Sequence, residues 1–364
     1  MVLLGLLLVP LLVSGGFFLI CKGTVTWKEF LLQIGVCVLV MVGGYFIAKW
    51  GALRDTEHLN GRITAKAEGT QHCCHCHDVC DSRDKKGNCT SSHEVCSHFH
   101  DYWWSLKTTV GEISIESCSG WDRPPSDWTN ASVGEPATVD HGYTNYLKAD
   151  PNSLMVHSAM NQYGVRVPRF PEVYGHYKVN PVIGVGVPVP EGWQQAVREI
   201  NADLGASRQV DVTVILTSIQ DPTFAQAIES KWLYGPKNSL NIVIGVDGDK
   251  ASWVRVVTFS RVEALKVRLR DDIQGKALAG LEIPNAIHTL IRDQFKRTSM
   301  AEFEYLARSA TPGTGWLVLL YILGVGLSIG LGVYMHRNDV FGDEGGFGTR
   351  SWVKKKRGMF YESN

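Results

Sequence analysis

The stretch LNIVIGVDGDKASWVRVVTF, residues 240–259, decides the fold of the largest soluble segment. Its first part, residues 240–246, is an apolar run rich in Val and Ile, which favour strands. Its second part, residues 253–259, has the same character, and Asp247-Gly248-Asp249 separates the two. An Asp-Gly pair between two such runs is typical of a tight turn. The stretch therefore predicts a β-hairpin whose first strand is buried.

The segments around this hairpin extend it into an α/β domain. Residues 210–216 predict another strand, and the periodic apolar positions of residues 193–204 and 224–232 predict helices. A long amphipathic helix is expected from about residue 285 to residue 307. The order α-β-α-β-β-α predicts a sheet with helices packed against it.

The same residues resemble a known family. The succession of a helix, QVDVTVILTSI, a helix ending in ESKWLYGPKNS, the hairpin and a closing helix is similar to the TPM domain. The resemblance covers residues 190–308, and it implies a small α/β module tethered by a membrane helix just after it. Some members have been proposed as acid phosphatases or metal-binding modules. Where the family has a D-N-G-like turn, this chain has Lys237-Asn238-Ser239.

The whole chain also resembles uncharacterised membrane proteins carried by large bacteriophages. That resemblance implies a location in a bacterial envelope, and it implies no particular activity.

Three apolar runs predict transmembrane helices at residues 1–21, 29–50 and 315–336. No charged residue occurs in residues 2–20 or 30–48. Runs of about 19 residues can cross a hydrocarbon core of roughly 30 Å as helices. The first run is alternatively a cleaved signal peptide, but it lacks the positive residues that normally precede one.

Three crossings place residues 50–314 on one side of the bilayer and the tail, residues 337–364, on the other. The tail contains a basic cluster at residues 354–357, and positive residues favour the cytoplasmic side. We therefore expect an integral membrane protein, in contact with the lipid bilayer, whose central region is extracytoplasmic and whose tail is cytoplasmic.

Small residues recur along the third apolar run. Gly324, Ser328 and Gly332 share one helical face, as do Gly326 and Gly330. Such rows allow close helix–helix packing, so this helix is a candidate site of homo-oligomerisation. The alternative is that glycine is simply frequent in membrane helices.

Residues 69–120 form a Cys/His-rich module. Between Gly69 and Ser97 the only aliphatic side chains larger than alanine are Val79 and Val95, so a hydrophobic core cannot stabilise this stretch. Disulfides suit an extracytoplasmic location. The candidates are Cys73, Cys74, Cys76, Cys80, Cys89, Cys96 and Cys118. Their number is odd, so at least one thiol stays free or pairs with another chain.

Two other chemistries compete for the same residues. The interleaved cysteines and histidines suit zinc, with Cys76, Cys80, His93 and Cys96 as the candidate ligands. The stretch from Cys73 to His77 also matches C-x-x-C-H, the attachment pattern of covalent haem, with Cys76 as its second cysteine. A cytoplasmic location would favour zinc over disulfides.

Residues 121–189 are predicted to be a β-rich connector. Short alternating runs between residues 102 and 154 favour strands and turns, while residues 181–190 contain three prolines and predict a linker or an edge strand. Four tryptophans form either a small core or an aromatic interaction surface. They are Trp103, Trp104, Trp121 and Trp128.

The charge composition and the absence of known motifs argue against several classes of function. With 36 basic and 36 acidic side chains, the chain lacks the positive charge of a nucleic-acid binder. No P-loop, dinucleotide fingerprint or HExxH motif occurs, and no catalytic residue is assigned. We expect a non-enzymatic scaffold or interaction role at the envelope, with a protein partner. The alternative is a membrane-bound phosphomonoesterase of the TPM type that uses Asp247 and Asp249, although an aspartate turn explains this pair as well.

Overall fold

The computed structural model describes most of the chain. The described residues are 2–20, 25–149, 157–233 and 235–338. The basic cluster at residues 354–357, expected to be cytoplasmic, lies outside them.

The chain divides into two compact units. One contains the residues up to 54, residues 145–150 and those from 305 onward, and it includes the three apolar helices. The other contains residues 55–144 and 151–304, and it includes both larger sheets.

The described helices are α1 (Val2–Ile20), α2 (Trp27–Ala52), α3 (Ser126–Asn130), α4 (Ala159–Tyr163), α5 (Trp193–Arg208), α6 (Phe224–Lys231), α7 (Glu263–Ile273), α8 (Glu282–Gln294) and α9 (Thr314–Asn338). The described strands are β1 (Arg54–His72), β2 (Cys76–Arg83), β3 (Cys89–Cys96), β4 (His100–Thr108), β5 (Glu112–Ser119), β6 (Pro136–Thr144), β7 (Val182–Val185), β8 (Asp211–Thr217), β9 (Ser239–Asp247) and β10 (Lys250–Thr258).

Helices α1, α2 and α9 are long and apolar enough to cross a membrane, as the three apolar runs predict. Helix α2 begins with a capping box. The Thr26 amide donates to the Glu29 carboxylate at 2.6 Å, and the Glu29 amide donates to the Thr26 hydroxyl at 3.4 Å. This cap satisfies two amide groups that the helix itself leaves without partners, and it sets where the helix begins.

Polar groups join α2 to α9 inside the helical unit. The Gln33 amide donates to the Ser328 carbonyl at 2.6 Å, and the Cys37 thiol lies 3.6 Å from the Ser328 hydroxyl. A Cβ on Gly324 would lie 3.0 Å from the Cε of Met41. The row of small residues on α9 therefore packs against a helix of its own chain, while homo-oligomerisation through α9 stays a prediction.

The first sheet has the strand order β5-β4-β1-β6. Strand β1, which the sequence analysis does not predict, pairs antiparallel with β4 from Ile63↔Thr108 to His72↔His100. Ile63, Leu106 and Tyr177 form part of a small core beneath this sheet. Of the four tryptophans, Trp104 is buried and Trp121 is 81 % exposed. Trp104 is therefore a core residue, and Trp121 is a surface residue.

The second sheet is the core of an α/β domain. Its order is β10-β9-β8-β7, with β7, β8 and β9 parallel and β10 antiparallel to β9. Buried residues of α5, α7 and α8 pack on one face, and α4 and α6 pack on the other. Because both faces are covered, β8 and β9 are almost continuously buried. The predicted hairpin is confirmed as β9 and β10, and the proline-rich segment contributes the edge strand β7.

Two features of this domain differ from the sequence analysis. The long helix expected over residues 285–307 ends at Gln294, and a 3₁₀ segment covers Met300–Ser309. The chain turns out of the helix at Phe295, whose ring is buried and whose ψ is 130°. Helix α7 was not predicted, because in its charged sequence only Leu265, Leu269 and Ile273 are buried.

The connector is also less β-rich than expected. Between residues 121 and 189 the described residues form the strands β6 and β7, the short helices α3 and α4, and a 3₁₀ turn over Tyr146–Ala149.

Candidate functional site

The Cys/His-rich module is built on an exposed hairpin. Strands β2 and β3 pair from Cys76↔Cys96 to Arg83↔Cys89 and form a separate two-stranded sheet. Val79 and Val95 are 37 % and 36 % exposed. An isolated hairpin of this kind is at best marginally stable in water, so apolar burial does not explain why it is ordered.

Disulfides supply the missing constraint. They join Cys74 to Cys118, Cys76 to Cys96 and Cys80 to Cys89. Two of these bonds link β2 to β3, and the third links the segment before β2 to β5. The region therefore contains several disulfides, as expected; they engage six of the seven candidate cysteines, and Cys73 keeps a free, buried thiol.

The structure does not bring the predicted zinc ligands together. Cys76, Cys80 and Cys96 are all engaged in disulfides, and His93 Nδ1 lies 2.6 Å from the Asp81 carboxylate instead. The haem pattern meets the same obstacle, because Cys76 has no free thiol and His77 is exposed.

A different set of side chains converges at the base of the hairpin. Cys73 and His75 lie in the link between β1 and β2, His98 lies in the link between β3 and β4, and Asp101 lies on β4. Each of the four offers one ligand atom, and these atoms all lie within 4.8 Å of one another. We call these four residues the base cluster. Cys73 was expected only as a disulfide or haem-attachment cysteine, and Asp101 was not anticipated at all.

Asp101 is the centre of this cluster. Its side chain is fully buried, and it accepts a hydrogen bond from the Cys74 amide at 2.5 Å. It also contacts His98 Nε2 and lies 3.7 Å from His75 Nδ1. The link after β1 thus wraps around the carboxylate, and the antiparallel pairing of β1 with β4 places that link opposite Asp101.

The electrostatics of Asp101 favour its charged form. Burial acts to raise its pKa, but the Cys74 amide and the neighbouring His98 and His75 outweigh burial and hold the pKa below its ordinary value. Among the described residues, only histidines lie within ion-pair distance of this carboxylate. Asp101 is therefore a buried anion whose partners are themselves potential metal ligands.

Four histidines outside the Cys/His-rich module each lie near a carboxylate. The pairs are His141 with Glu57, His157 with Glu229, His176 with Asp127, and His288 with Asp203. Asp211, at the start of β8, is not a surface residue. It is buried and accepts a hydrogen bond from the Asn60 amide at 2.8 Å.

Asp247 and Asp249 flank the turn between β9 and β10, and both are exposed. Neither belongs to a group of three clustered potential metal ligands in the described part of the chain. Their position agrees with a turn.

Comparisons of the chain with family models, with curated proteins and with solved structures find no match. The resemblance to the TPM domain and to bacteriophage membrane proteins therefore stays a prediction.

Proposed function

We propose that the chain is an integral membrane protein whose disulfide module and α/β domain lie outside the cytoplasm and serve as an envelope scaffold. The observation that carries this proposal is the distribution of the disulfides. Among the described residues, two of the three disulfides join the strands of the hairpin that has no apolar core, and the third begins just before it; the same chain has three helices long and apolar enough to cross a membrane. Disulfides form and persist in oxidising compartments, and this supports an extracytoplasmic module.

A scaffold needs a surface on which a partner can bind. Two aromatic side chains are largely exposed to solvent: Phe99 of the Cys/His-rich module is 93 % exposed, and Trp121, the first residue after the module, is 81 % exposed. Aromatic side chains are enriched where proteins bind one another. These two residues are the best places to look for the protein partner.

The alternative, a phosphomonoesterase of the TPM type, gains no support from the site it would use. In the described part of the chain, neither Asp247 nor Asp249 belongs to a cluster of potential metal ligands. Replacing both by Asn in the full chain tests this alternative, and we expect no change in the release of phosphate from a model monoester.

Membrane orientation tests the proposal first. We would place an epitope after Asn364 and add protease to the outside of intact, outer-membrane-stripped cells. The proposal expects cleavage within residues 55–304 while the epitope stays protected until the membrane is opened. An uncleaved central region together with a digested epitope would reverse the topology and overturn the proposal.

Site-specific photocrosslinking tests the scaffold role. A photoreactive amino acid would replace Phe99 or Trp121, and the matched control would replace Asp272, which is exposed on α7 in the α/β domain. We expect discrete adducts from the Phe99 and Trp121 positions and none from the control. Equal or absent labelling at all three positions would argue against a partner at the module.

A further inference from the structure

Three groups of side chains in the module come close enough to hold a metal ion, but they are not equivalent. One group combines His72 and Glu94 with the Cys76–Cys96 disulfide, and another combines Asp101 with the Cys74–Cys118 disulfide. The thiolate is the metal-binding form of cysteine, and a disulfide sulfur lacks that charge. Only the base cluster has every donor available while the disulfides are intact.

We infer that Cys73, His75, His98 and Asp101 bind one Zn²⁺ ion in a four-coordinate site at the base of the β2–β3 hairpin. This inference goes beyond the scaffold role and does not depend on it. It needs only the disulfide pairing, which leaves Cys73 as the free cysteine of the module.

The spacing of the donor atoms suits such a site. With zinc bonds of about 2.3 Å to sulfur, 2.0–2.1 Å to nitrogen and 2.0–2.2 Å to oxygen, the ligand atoms of a tetrahedral site with one sulfur lie roughly 3.3–3.7 Å apart. His75 Nδ1 and Asp101 Oδ2 are 3.7 Å apart, and all four ligand atoms lie within 4.8 Å of one another. On zinc binding, the direct contact between His98 and Asp101 would be lost, and each of the two side chains would bind the ion instead.

Charge balance favours a divalent ion. In the zinc-bound state Cys73 would bind as a thiolate and Asp101 as a carboxylate, so these two residues, 4 % and 0 % exposed, would bring two negative charges to the centre. Uncompensated charges in such surroundings are costly. A Zn²⁺ ion with two neutral imidazoles makes the whole centre neutral.

The types of donor also select the metal. Thiolate and imidazole ligands suit zinc, whereas magnesium and calcium prefer sites built from oxygen alone. Copper(I) prefers soft sulfur ligands, and the Asp101 carboxylate is a hard oxygen donor. One sulfur, two nitrogens and one oxygen therefore match Zn²⁺ best.

The ion would join segments that are far apart in the chain. Cys73 and His75 follow β1, while His98 and Asp101 lie at the start of the return through β4. Zinc would close the base of the hairpin just where its disulfide-linked strands leave the first sheet. We therefore assign it a structural role.

Zinc uptake by the full-length protein with its disulfides intact provides the test. After treatment with a chelator, the protein in detergent would be titrated with Zn²⁺ against a chromophoric competitor, and then with Co²⁺ in a parallel sample. We expect one equivalent of zinc per chain. The cobalt form should show the absorption of a tetrahedral site and a sulfur-to-cobalt charge-transfer band.

Variants locate the site. Cys73→Ser should abolish the charge-transfer band. His75→Gln should weaken zinc binding at least as much as the roughly 10–100-fold that loss of an outer-sphere partner costs. The His75 side chain is 56 % exposed, so this variant should fold even if a variant of buried Asp101 does not. His93→Gln is the matched control, because it breaks another histidine–carboxylate contact in the same module and should leave zinc binding unchanged.

Three results would overturn the inference. The first is a Cys73→Ser variant that binds zinc as tightly as the parent, and the second is a parent that binds none. The third is zinc binding that appears only after the disulfides are reduced, which would place the ion on cysteines that the disulfides engage. A disulfide-linked chain without zinc would still be compatible with the scaffold, so the two proposals can fail separately.

Discussion

The disulfide hairpin and the α/β domain maintain their structures by opposite means. In the α/β domain, β8 and β9 are covered on both faces by helices, and their apolar side chains are buried. In the β2–β3 hairpin nearly every side chain is exposed, and crosslinks join its strands. Among the described residues, the six disulfide-bonded cysteines lie within residues 74–118, and the sequence of the α/β segment contains no cysteine.

The contrast shows what each region requires from its surroundings. Apolar burial works in any aqueous compartment, because it depends only on removing surface from water. Disulfides depend on an oxidising compartment. The hairpin is therefore the part of the molecule whose stability depends on the compartment in which the chain resides.

The largest effect should come from the core of the α/β domain. Ile244 is fully buried in β9, and Ile244→Ala should lower the free energy of unfolding of this domain by about 2–5 kcal/mol. Hydrogen exchange of β8 and β9 measures the change. Val79→Ala, on the exposed hairpin, is the control and should change exchange in its own strands by less than about 0.5 kcal/mol. Similar losses at both positions would mean that the hairpin has an apolar core after all.

Removing one crosslink should have the next largest effect, confined to the hairpin. Cys76 and Cys96 are 20 residues apart, and a loop of this size predicts a loss of roughly 3 kcal/mol for the Cys76→Ser/Cys96→Ser variant. We expect faster hydrogen exchange in β2 and β3 and no change in β9. Exchange that accelerates equally in both regions would show that they unfold as one unit.

A pH effect should appear outside the hairpin. His58 on β1 lies 3.4 Å from the buried Asp211 and 3.4 Å from Asp140. Burial acts to lower the pKa of His58, but the hydrogen bond and charge of Asp211 and the charge of Asp140 outweigh it and raise the pKa above 6.5.

The raised pKa of His58 determines how stability changes with pH. The folded state holds the proton more tightly, so the contribution to stability is complete below the unfolded pKa of about 6.5 and disappears as pH rises through the folded pKa. Hydrogen exchange of β1 and β8 between pH 6 and pH 9 measures this loss, after correction for the intrinsic exchange rate. His58→Gln should remove the pH dependence, and the control His288→Gln should retain it. A parent protein that becomes more stable as pH rises would contradict this assignment.

The smallest effect is expected from an exposed ion pair of the hairpin. His93 and Asp81 are 57 % and 42 % exposed, and such pairs contribute little because water screens them. Asp81→Asn should change hairpin stability by less than about 0.5 kcal/mol in hydrogen exchange. A larger loss would mean that polar contacts, and not only crosslinks, stabilise the hairpin.

The strands of the α/β sheet could be predicted because each is a run of mostly apolar residues in the sequence. Val, Ile and Leu in the runs that became β8 and β9 indicate buried strands directly. Helix α7 was not predicted, because its few buried residues form a narrow stripe within a charged sequence. Strand β1 was not predicted either, because most of its residues from Thr64 to His72 are polar and its pairing depends mainly on the backbone.

The site was only partly predictable. The density of cysteines and histidines identified the module, and the lack of aliphatic residues showed that it needs crosslinks or metal. The pairing could not be deduced, because the register of β2 against β3 decides that Cys76 meets Cys96. Asp101 carries no local signal, and its proximity to Cys73 and His75 arises from the long-range pairing of β1 with β4.

The central claim is that disulfides stabilise the module in the native membrane, and a disulfide map tests it most directly. The full-length protein would be extracted from membranes with free thiols blocked, digested without reduction and analysed by mass spectrometry. The account predicts the pairs Cys74–Cys118, Cys76–Cys96 and Cys80–Cys89, with Cys73 free once metal is removed. Seven reduced cysteines in residues 69–120 would contradict it and would place the module in a reducing compartment.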